Sequence, residues 1–524
     1  MARGRATSRL KSFSARARVL NRNPRLLIHQ GKSMHRRIHL FIIALPICAT
    51  LLQSSVAEAG GFTITVMGGR RTGMMTSLAR PDDLTALLHN PAGLAYQPGV
   101  RTHLSISSAF LDTKFRLKAL DPERYPEINP KDCGTAGKKP CPWPIDQEGY
   151  YAEEIGPEKT FGVLPFLAAS TDLGFITPKA KDLVVGLAVY SPMFYGAFLP
   201  TEAPTAYHII EGTFMVISAT AGIGWRINDK ISIGASVSYN YMRLSFAQKY
   251  SAIDMLTTAG EAPDDFAKMA QGLVGDIRLD FTGVDHGIGW GLGILMQPAK
   301  WLAIGFNYTG ASPARFEGDL SLRALGKLIT DPNGLSEVMK SFGMKVPEEL
   351  VVEMPIPHAL MLGINISPLW WLEFGMDFRV WLYNFYSEQA LIPIYNDNNP
   401  DLEEPISAEA LSRDKNYGAS FEFAAGFLFR PLKRFKAWEL MMGGFYDHSP
   451  IPDETFTLDN PSLTMVAFSV GTRILVAEHW RLSASYMIQI FLPRDITTST
   501  TSPPTNAQGK GTSHFPGIEV EYIF

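Results

Sequence analysis

Hydrophobic and polar residues alternate along most of the chain after residue 98, with the period of two that is typical of a β-strand between two environments. The clearest run is 371–382, where one face carries Leu372, Phe374, Met376, Phe378, Val380 and Leu382. The opposite face carries Glu373, Gly375, Asp377 and Arg379. A soluble sandwich seldom combines so long an apolar face with opposing charges, whereas lipid suits the first and an aqueous lumen the second.

The same alternation predicts fourteen strands, an even number as in bacterial single-chain barrels. We place them at 99–117, 159–170, 182–199, 211–228, 231–250, 276–298, 301–322, 351–367, 369–388, 416–430, 437–447, 463–477, 480–493 and 512–524. Short connections alternate with long ones, so we expect the short turns to face the periplasm. An aromatic girdle is predicted near those turns, from Trp225, Trp301, Trp370, Trp371 and Trp480.

The chain ends in an alternating run that finishes at Phe524. This ending resembles the recognition signal of the barrel assembly machinery, which is therefore an expected partner. We predict an all-β fold: a transmembrane antiparallel β-barrel of about 14 strands over residues 99–524. We expect a monomer in the outer membrane of a Gram-negative bacterium, surrounded by outer-membrane lipid and lipopolysaccharide.

Residues 60–98 differ from the strands because they are too polar and too rich in glycine for a lipid-facing segment. We predict that they form a hatch inside the lumen. Asp82 and Asp83 can begin a short helix over 84–89, and Asn90-Pro91 ends it, because the residue before proline avoids the α region.

The first 59 residues have the character of targeting sequence. Residues 34–59 form a secretory signal, with a basic start, an apolar stretch over 38–52 and a cleavage site after Ala59. The arginine-rich residues 1–33 are either an over-extended start, the simpler interpretation, or a transit-type presequence.

The net charge of the mature chain argues against a nucleic-acid partner. Residues 1–59 hold eleven of the 48 Lys and Arg and one of the 51 acids, so the remainder carries a net charge of about −13. An acidic mature chain is not typical of a nucleic-acid-binding protein.

A family resemblance rests on specific residues. Asp82-Asp83, followed by Asn90-Pro91-Ala92-Gly93-Leu94 behind a Gly-Phe start, resembles the N-terminal hatch of FadL-type outer-membrane transporters, which carry long-chain fatty acids and other hydrophobic compounds. The run Val216–Phe246 resembles the central hairpin of that family, and 446–456 resembles its SPxPDExF-type segment. The resemblance covers most of the mature chain. It implies passive uptake of hydrophobic small molecules through hatch rearrangement, with no catalytic residue, cofactor or metal.

The predicted third strand contains Pro192, which removes a ladder donor in mid-strand. One interpretation is that Ser191-Pro192 merely starts the following loop. In the resembling family the third strand carries an inward kink that opens the barrel wall. The resemblance therefore makes Ser191, Pro192 and Gly196 candidates for a lateral gate.

Candidate ligand contacts fall into three groups. The hatch offers Phe62, Met67, Met74 and Met75, since flexible thioethers tolerate varied ligands. Arg379 and Arg473 have inward parity and suit a carboxylate headgroup, unless each pairs with a lumenal acid such as Asp377 or Glu373. Two helical loop segments offer apolar faces for capture, Phe266, Met269 and Leu273 in one and Leu335, Met339 and Phe342 in the other, unless these faces pack on the barrel. Fatty acid and neutral or aromatic hydrocarbon both remain as cargo.

Cys133 and Cys141 lie eight residues apart in a Pro/Gly-rich loop, where a disulfide is predicted in an oxidising compartment. Metal binding is the alternative, but no His or further Cys lies nearby. The main rival function is an outer-membrane phospholipase, for which His103 and Ser105 share a strand face but lack a supporting motif. A general porin does not fit with a hatch of nearly forty residues.

Overall fold

The computed structural model describes residues 63–129, 133–134, 139–158, 161–254, 264–326, 329, 334–341, 343–404, 412–433 and 437–524. The predicted presequence, the signal segment and residues 60–62 lie outside these residues. The strands, in chain order, are β1 (Val100–Leu117), β2 (Phe161–Asp172), β3 (Leu183–Phe198), β4 (Glu211–Arg226), β5 (Ile231–Ser251), β6 (Asp276–Ala299), β7 (Leu302–Ala311), β8 (Ala314–Ala324), β9 (Glu349–Met354), β10 (His358–Leu369), β11 (Leu372–Leu382), β12 (Glu388–Gln389), β13 (Leu391–Ile394), β14 (Arg413–Asp414), β15 (Ser420–Phe429), β16 (Trp438–Asp447), β17 (Met465–Val476), β18 (Trp480–Ile496) and β19 (Ala507–Ile523).

All of these strands except β12 and β14 belong to one closed antiparallel sheet, and β12 and β14 pair with each other. β1 to β6 pair in chain order, as do β15 to β19, and β11 pairs with β10 and β15. β13 pairs with β9, and β1 pairs with both β2 and β19, which closes the barrel. β6 pairs with β7 and then with β8, and β10 and β9 continue the pairing in the same way. β7 with β8 and β9 with β10 therefore act as two interrupted strands, and the described residues give a fourteen-stranded barrel, as predicted.

Alternation places large apolar side chains on the outside and polar ones on the inside. Phe378, Phe427 and Phe468 point outward and are exposed, whereas Asp377 and Glu422 are buried in the lumen. Trp225, Trp301, Trp370 and Trp480 are about half exposed beside the short turns. This distribution is the one that a lipid-embedded barrel needs.

The helices are short. They are α1 (Gly69–Met74), α2 (Ala86–His89), α3 (Asp264–Val274) and α4 (Gly334–Ser341), with 3₁₀ turns at Pro91–Tyr96, Leu173–Phe175, Pro178–Ala180, Pro204–Tyr207 and Tyr383–Phe385. In the part of the chain that the structure describes, none of the helices has the length and apolar character needed to cross a membrane.

Several predicted bounds differ from those of the structure, and one helix was not predicted. α2 begins at Ala86 rather than at residue 84, and α1 was not predicted, because Gly68 and Gly69 indicate a turn when only local sequence is considered. β19 begins at Ala507 rather than at residue 512. Its first residues have no apolar alternation, yet β1 extends the ladder to the pair Leu117–Ala507.

Candidate functional site

Residues 63–98, which we call the hatch, lie inside the barrel and contact the wall on two sides. α1 packs against β15 to β19, and the 3₁₀ turn Pro91–Tyr96 packs against β3 to β6. Because the hatch reaches opposite parts of the wall, it closes the lumen as the sequence predicted for a plug.

The predicted hatch motif shapes the hatch itself. Asn90 accepts the N–H of Ala92 at 3.2 Å and donates from its amide nitrogen to the carbonyl of Leu78 at 3.0 Å. Asp83 accepts the N–H of Thr85 at 2.9 Å. A Cβ on Gly93 would lie 2.2 Å from the ring of Pro81, so only glycine fits there.

One group of buried ion pairs ties the hatch to β11 and β15. Arg71 of the hatch and Arg379 of β11 both donate to Glu422 of β15. Arg379 also lies 3.0 Å from Asp377, which accepts the backbone N–H of Ser77 at 2.7 Å. The four charged side chains are at most 1% exposed. Two cations and two anions cancel, as buried charges require.

A second group ties the hatch to β16 and β17. Arg473 lies 2.7 Å from Asp82 of the hatch and 2.6 Å from Glu439. Arg70 bridges Asp82 and Glu373, at 3.1 and 3.0 Å. The two predicted headgroup cations, Arg379 and Arg473, therefore have acidic partners, which was the alternative left open by the sequence.

Glycines on the inner wall let the hatch backbone lie directly on the strands. A Cβ on Gly426 would lie 1.9 Å from the carbonyl oxygen of Met74, and one on Gly443 would lie 2.3 Å from the same atom. On the other side of the barrel, a Cβ on Gly234 would lie 2.3 Å from Pro91. We call these wall glycines, with others of the same kind, the glycine seat: Gly224, Gly234, Gly293, Gly305, Gly363, Gly375, Gly426, Gly443 and Gly471.

The hatch methionines predicted as ligand contacts are buried. Met74 packs with Leu428 and Met441, and Met67 and Met75 join the main apolar core. They line neither the lumenal cavity of about 120 Å³ nor the one of about 50 Å³. Phe62 lies outside the described residues.

The candidate gate residues Ser191 and Pro192 form an irregularity in β3. Pairing of β3 with β4 shifts between Tyr190 and Met193, so that one extra residue is inserted. The β2–β3 ladder ends at Tyr190, and beyond it Met193 forms an isolated antiparallel bridge with Thr63 of the hatch. The hatch contacts this break, because Ile64 N–H donates to Pro192 O at 2.8 Å. Gly196 lies opposite Thr213 in the regular β3–β4 ladder.

A cavity of about 120 Å³ lies between the hatch and this break. We call it the inner chamber. Pro192 and Met193 line one end of it, and Ile64 and Leu87 of the hatch line its floor. A lumenal space thus extends to the position where the wall is incompletely paired.

A second cavity of about 50 Å³, the outer cavity, lies next along the same strands. Its inward residue on β4 is Phe214, whereas Val216 of the same strand lines the inner chamber. On β5 the corresponding pair is Leu244 and Met242. Residues two apart in a strand are separated by roughly 7 Å, so the two cavities are immediate neighbours.

The outer cavity combines an apolar wall with a cationic end. Its charged lining residues are Arg413, Lys415 and Asp459, an excess of one positive charge. Lys415 Nζ lies 3.2 Å from Asp459, and Arg413 donates to Gln248 at 2.8 Å. Lys415 is only 2% exposed. Burial, together with repulsion from Arg413, lowers the pKa of Lys415 although Asp459 opposes the shift. An added anion would relieve that cost.

The sequence prediction did not include these cations. Arg413 and Lys415 follow a long loop, and Asp459 comes from another loop after the 446–456 segment. Part of this site is visible in the sequence, because Arg413 and Lys415 lie one residue apart just before β15. Their meeting with Asp459 depends on the folded loops.

The apolar loop residues proposed for capture mostly pack against one another. Leu273 of α3 and Leu335 and Met339 of α4 belong to one cluster with Ile277 of β6. Met269 is 58% exposed. The side chain of Phe266 and residue Phe342 lie outside the described part of the chain.

Two further loop features have structural contacts. Cys133 and Cys141 form a disulfide with Cα atoms 4.7 Å apart. In the 446–456 segment, Asp453 accepts from Arg494 at 2.6 Å and Phe456 is fully buried beneath the same guanidinium. The segment therefore docks on the barrel, as the sequence favoured.

Several solved structures have a similar fold. The structure is similar to a FadL homologue of Pseudomonas aeruginosa, with a TM-score of 0.69 and 16% identity over 88% of this chain and 100% of that one. It is similar to the toluene transporter TbuX of Ralstonia pickettii, with a TM-score of 0.56 and 16% identity over 89% and 99%. The toluene transporter TodX of Pseudomonas putida gives a TM-score of 0.56 and 13% identity over 90% and 100%.

At these identities the three structures establish the fold alone. The comparison with curated protein sequences gave no significant match. A family model described as outer membrane protein transport protein (OMPP1/FadL/TodX) matches residues 50–524, which is most of the sequence. The chain therefore belongs to the OMPP1/FadL/TodX family of outer-membrane transport proteins.

Proposed function

We propose that this transporter takes up long-chain amphiphiles with an anionic headgroup, of which long-chain fatty acids are the simplest. The observation that carries the proposal is the outer cavity, where an apolar lining ends at Arg413 and Lys415 with one positive charge in excess. A carboxylate supplies the missing anion, and an alkyl chain covers the apolar wall.

The route follows from the order of the cavities. Cargo binds in the outer cavity, enters the inner chamber and leaves through the break at Ser191 and Pro192. Gly196 is included in the proposed gate because it lies beyond Tyr190, where the β2–β3 ladder ends. Transfer needs no covalent chemistry and no cofactor.

The hatch would move only in part. The ion pairs and the glycine seat hold it from Gly69 onward, whereas Ile64 is joined to the break by one backbone hydrogen bond. We propose that residues before α1 rearrange when cargo arrives. Met67, Met74 and Met75 would contact cargo only after such a rearrangement.

A second candidate cargo is aromatic hydrocarbon, because TbuX and TodX are described as toluene transporters. Toluene is uncharged and cannot form an ion pair with Arg413 or Lys415, so the outer cavity favours the anionic amphiphile. The phospholipase alternative would use His103 and Ser105, which lie buried in the lumen with His103 3.7 Å from Glu519. That position beneath the hatch favours a transporter over an enzyme.

We propose that the barrel also contacts the assembly machinery, lipid and lipopolysaccharide of the outer membrane. Phe524 follows β19 directly and is 42% exposed. It is therefore available to the barrel assembly machinery in the way that the sequence predicts. We propose a monomer embedded among outer-membrane lipid and lipopolysaccharide.

Neutralising the outer cations is expected to separate the two cargo classes. In cells that express Arg413→Gln or Lys415→Gln, the affinity for radiolabelled oleate should fall about tenfold or more per substitution, because a charge-assisted hydrogen bond contributes about 1.5–3 kcal/mol. Toluene uptake should stay unchanged. Lys340→Gln, which removes a half-exposed loop lysine, is the matched control. Equal oleate uptake by all variants, or lipid hydrolysis in its place, would overturn the proposed function.

Deleting Pro192 is expected to close the lateral exit. The deletion removes the extra residue of β3 and lets Ser191 pair opposite Ile217 between the existing pairs. Oleate should still bind to the purified barrel, but transfer into liposomes should fall to the level without protein. A deletion of Asn228 in the β4–β5 turn serves as a control for chain shortening. Unchanged transfer in the Pro192 deletion would exclude this exit.

A further inference from the structure

The inner chamber lies where β6 has no side chains at four successive inward positions. Glycines occupy four alternate inward positions, Gly287, Gly289, Gly291 and Gly293. Gly293 belongs to the glycine seat, since its Cβ would lie 2.1 Å from Asn90 Oδ1. Gly289 and Gly291 do not touch the hatch and instead line the chamber. Bare backbone there leaves a slot between the side chains of β5 and β7.

Both sides of that slot are polar but uncharged. Ser236, Ser238 and Asn240 of β5 line one side, and Asn307 and Thr309 of β7 line the other. Val216, Met242, Ile356 and Met361 supply an apolar part of the lining. Such a lining suits a molecule with a polar end and an apolar body.

Asn307 provides the observation that indicates a ligand. Its side chain is fully buried and lines the chamber. The amide nitrogen has only a weak contact with Met361 Sδ at 3.8 Å, and Oδ1 has no hydrogen-bond partner. Buried amide oxygens are costly when unpaired, so the group requires a donor. A hydroxyl in the slot would supply one.

The chamber offers hydrogen bonds without a free charge. Arg379 is the charged residue that lines it, and Glu422 and Asp377 neutralise that guanidinium. His89 at the floor is already bonded through Nε2 to Met67 O. A carboxylate in this space would lack a counter-ion. The outer cavity, with its excess cation, has the opposite preference.

We propose that the inner chamber is a second binding site, which holds the headgroup of the cargo in an uncharged, hydrogen-donating form. The ligand class is a protonated long-chain acid or a long-chain alcohol, with its O–H on Asn307 Oδ1 and its chain directed to the break at Pro192. Between the two cavities the carboxylate takes one proton from a solvent hydronium ion: an O–H bond forms on the acid, one O–H bond of hydronium breaks, and a water molecule is released. This inference rests on the proposed function for the order of the two sites.

Thiol protection distinguishes the two sites. Thr213→Cys places a reporter in the outer cavity and Thr309→Cys places one in the inner chamber. The native Cys133 and Cys141 are joined in a disulfide and do not compete for the reagent. Each variant, in lipid nanodiscs, is treated with methyl methanethiosulfonate in the presence of dodecanol, dodecanoate or dodecyl sulfate, and the modification rate is measured.

Dodecanol should protect position 309, whereas dodecyl sulfate, which stays charged, should protect only position 213. Dodecanoate should protect 213 at neutral pH and increasingly 309 as the pH falls toward its own pKa. Adding Asn307→Leu should weaken protection of 309 by dodecanol about five- to tenfold, the value of one hydrogen bond, without a change at 213. Asn365→Leu, a buried inward asparagine of β10 outside the chamber, should change neither.

Two results would overturn the inference: equal protection of position 309 by dodecyl sulfate and dodecanol, or no effect of Asn307→Leu. Loss of the proposed function gives a different pattern. In that case none of the probes protects position 213, whatever happens at 309.

Discussion

Replacing Glu422 by glutamine is expected to release the hatch from the barrel wall and make the barrel conduct ions. Glu422 is the shared acid of Arg71 and Arg379, and all three side chains are buried. Removing one partner of a buried ion pair costs about 3–5 kcal/mol, because the remaining charge stays in the interior without compensation. The hatch can recover part of that cost by leaving the wall, so that water reaches Arg71.

The measurement is single-channel conductance of the purified protein in planar bilayers, with heat-modifiable gel mobility to check the barrel. Glu317→Gln is the control, because its pair with Arg315 is more than half exposed and contributes less than about 1 kcal/mol. Arg71→Met combined with Glu422→Gln should restore a closed barrel, since it leaves the neutral pair Arg379–Asp377. A wild-type conductance for Glu422→Gln alone would contradict the structural role of these charges.

Gly426→Val is expected to have an effect of similar size by a purely steric route. A Cβ at Gly426 would lie 1.9 Å from the carbonyl oxygen of Met74, where no side chain fits. Gly375 and Gly443 lie directly opposite on the neighbouring strands, so the obstruction stands in the middle of the seat. Overpacking costs about 1–3 kcal/mol of stability where side chains can adjust. The cost is larger here because the nearest atoms, the carbonyl oxygens of Met74 and Met442, belong to the backbone.

Hydrogen exchange of the hatch measures this effect directly. Peptides from residues 63–98 should lose protection about a hundredfold or more in Gly426→Val, while strand peptides keep theirs. Phe427→Val changes the next, lipid-facing residue of the same strand and should leave the hatch protected. Full hatch protection in Gly426→Val would mean that the seat tolerates side chains.

Together these contacts divide the hatch into two parts. Buried ion pairs and close backbone contact hold the part from Gly69 to the 3₁₀ turn, whereas Thr63 and Ile64 contact β3 beyond the end of the β2–β3 ladder. A transporter needs a barrier that stays closed to water and a segment that yields to cargo. We propose that these tasks belong to different residues of the hatch.

The sequence by itself determined the barrel. Strand alternation is a local property, because successive side chains point to opposite faces, and it predicted fourteen strands and the short turns. The inward direction of Arg379 and Arg473 followed from the same parity. The break at Pro192 was also predicted, since proline removes a ladder donor wherever it stands.

Only the tertiary structure decided which inward groups meet. Arg71 and Glu422 are 351 positions apart in the chain, and Asp459 reaches Lys415 across two loops. The alternating glycines of β6 are visible in the sequence. Only the structure shows that Gly293 contacts Asn90 of the hatch, whereas Gly289 lines the inner chamber. Such contacts depend on barrel closure and on where the hatch comes to rest, and neither is encoded in a local pattern of residues.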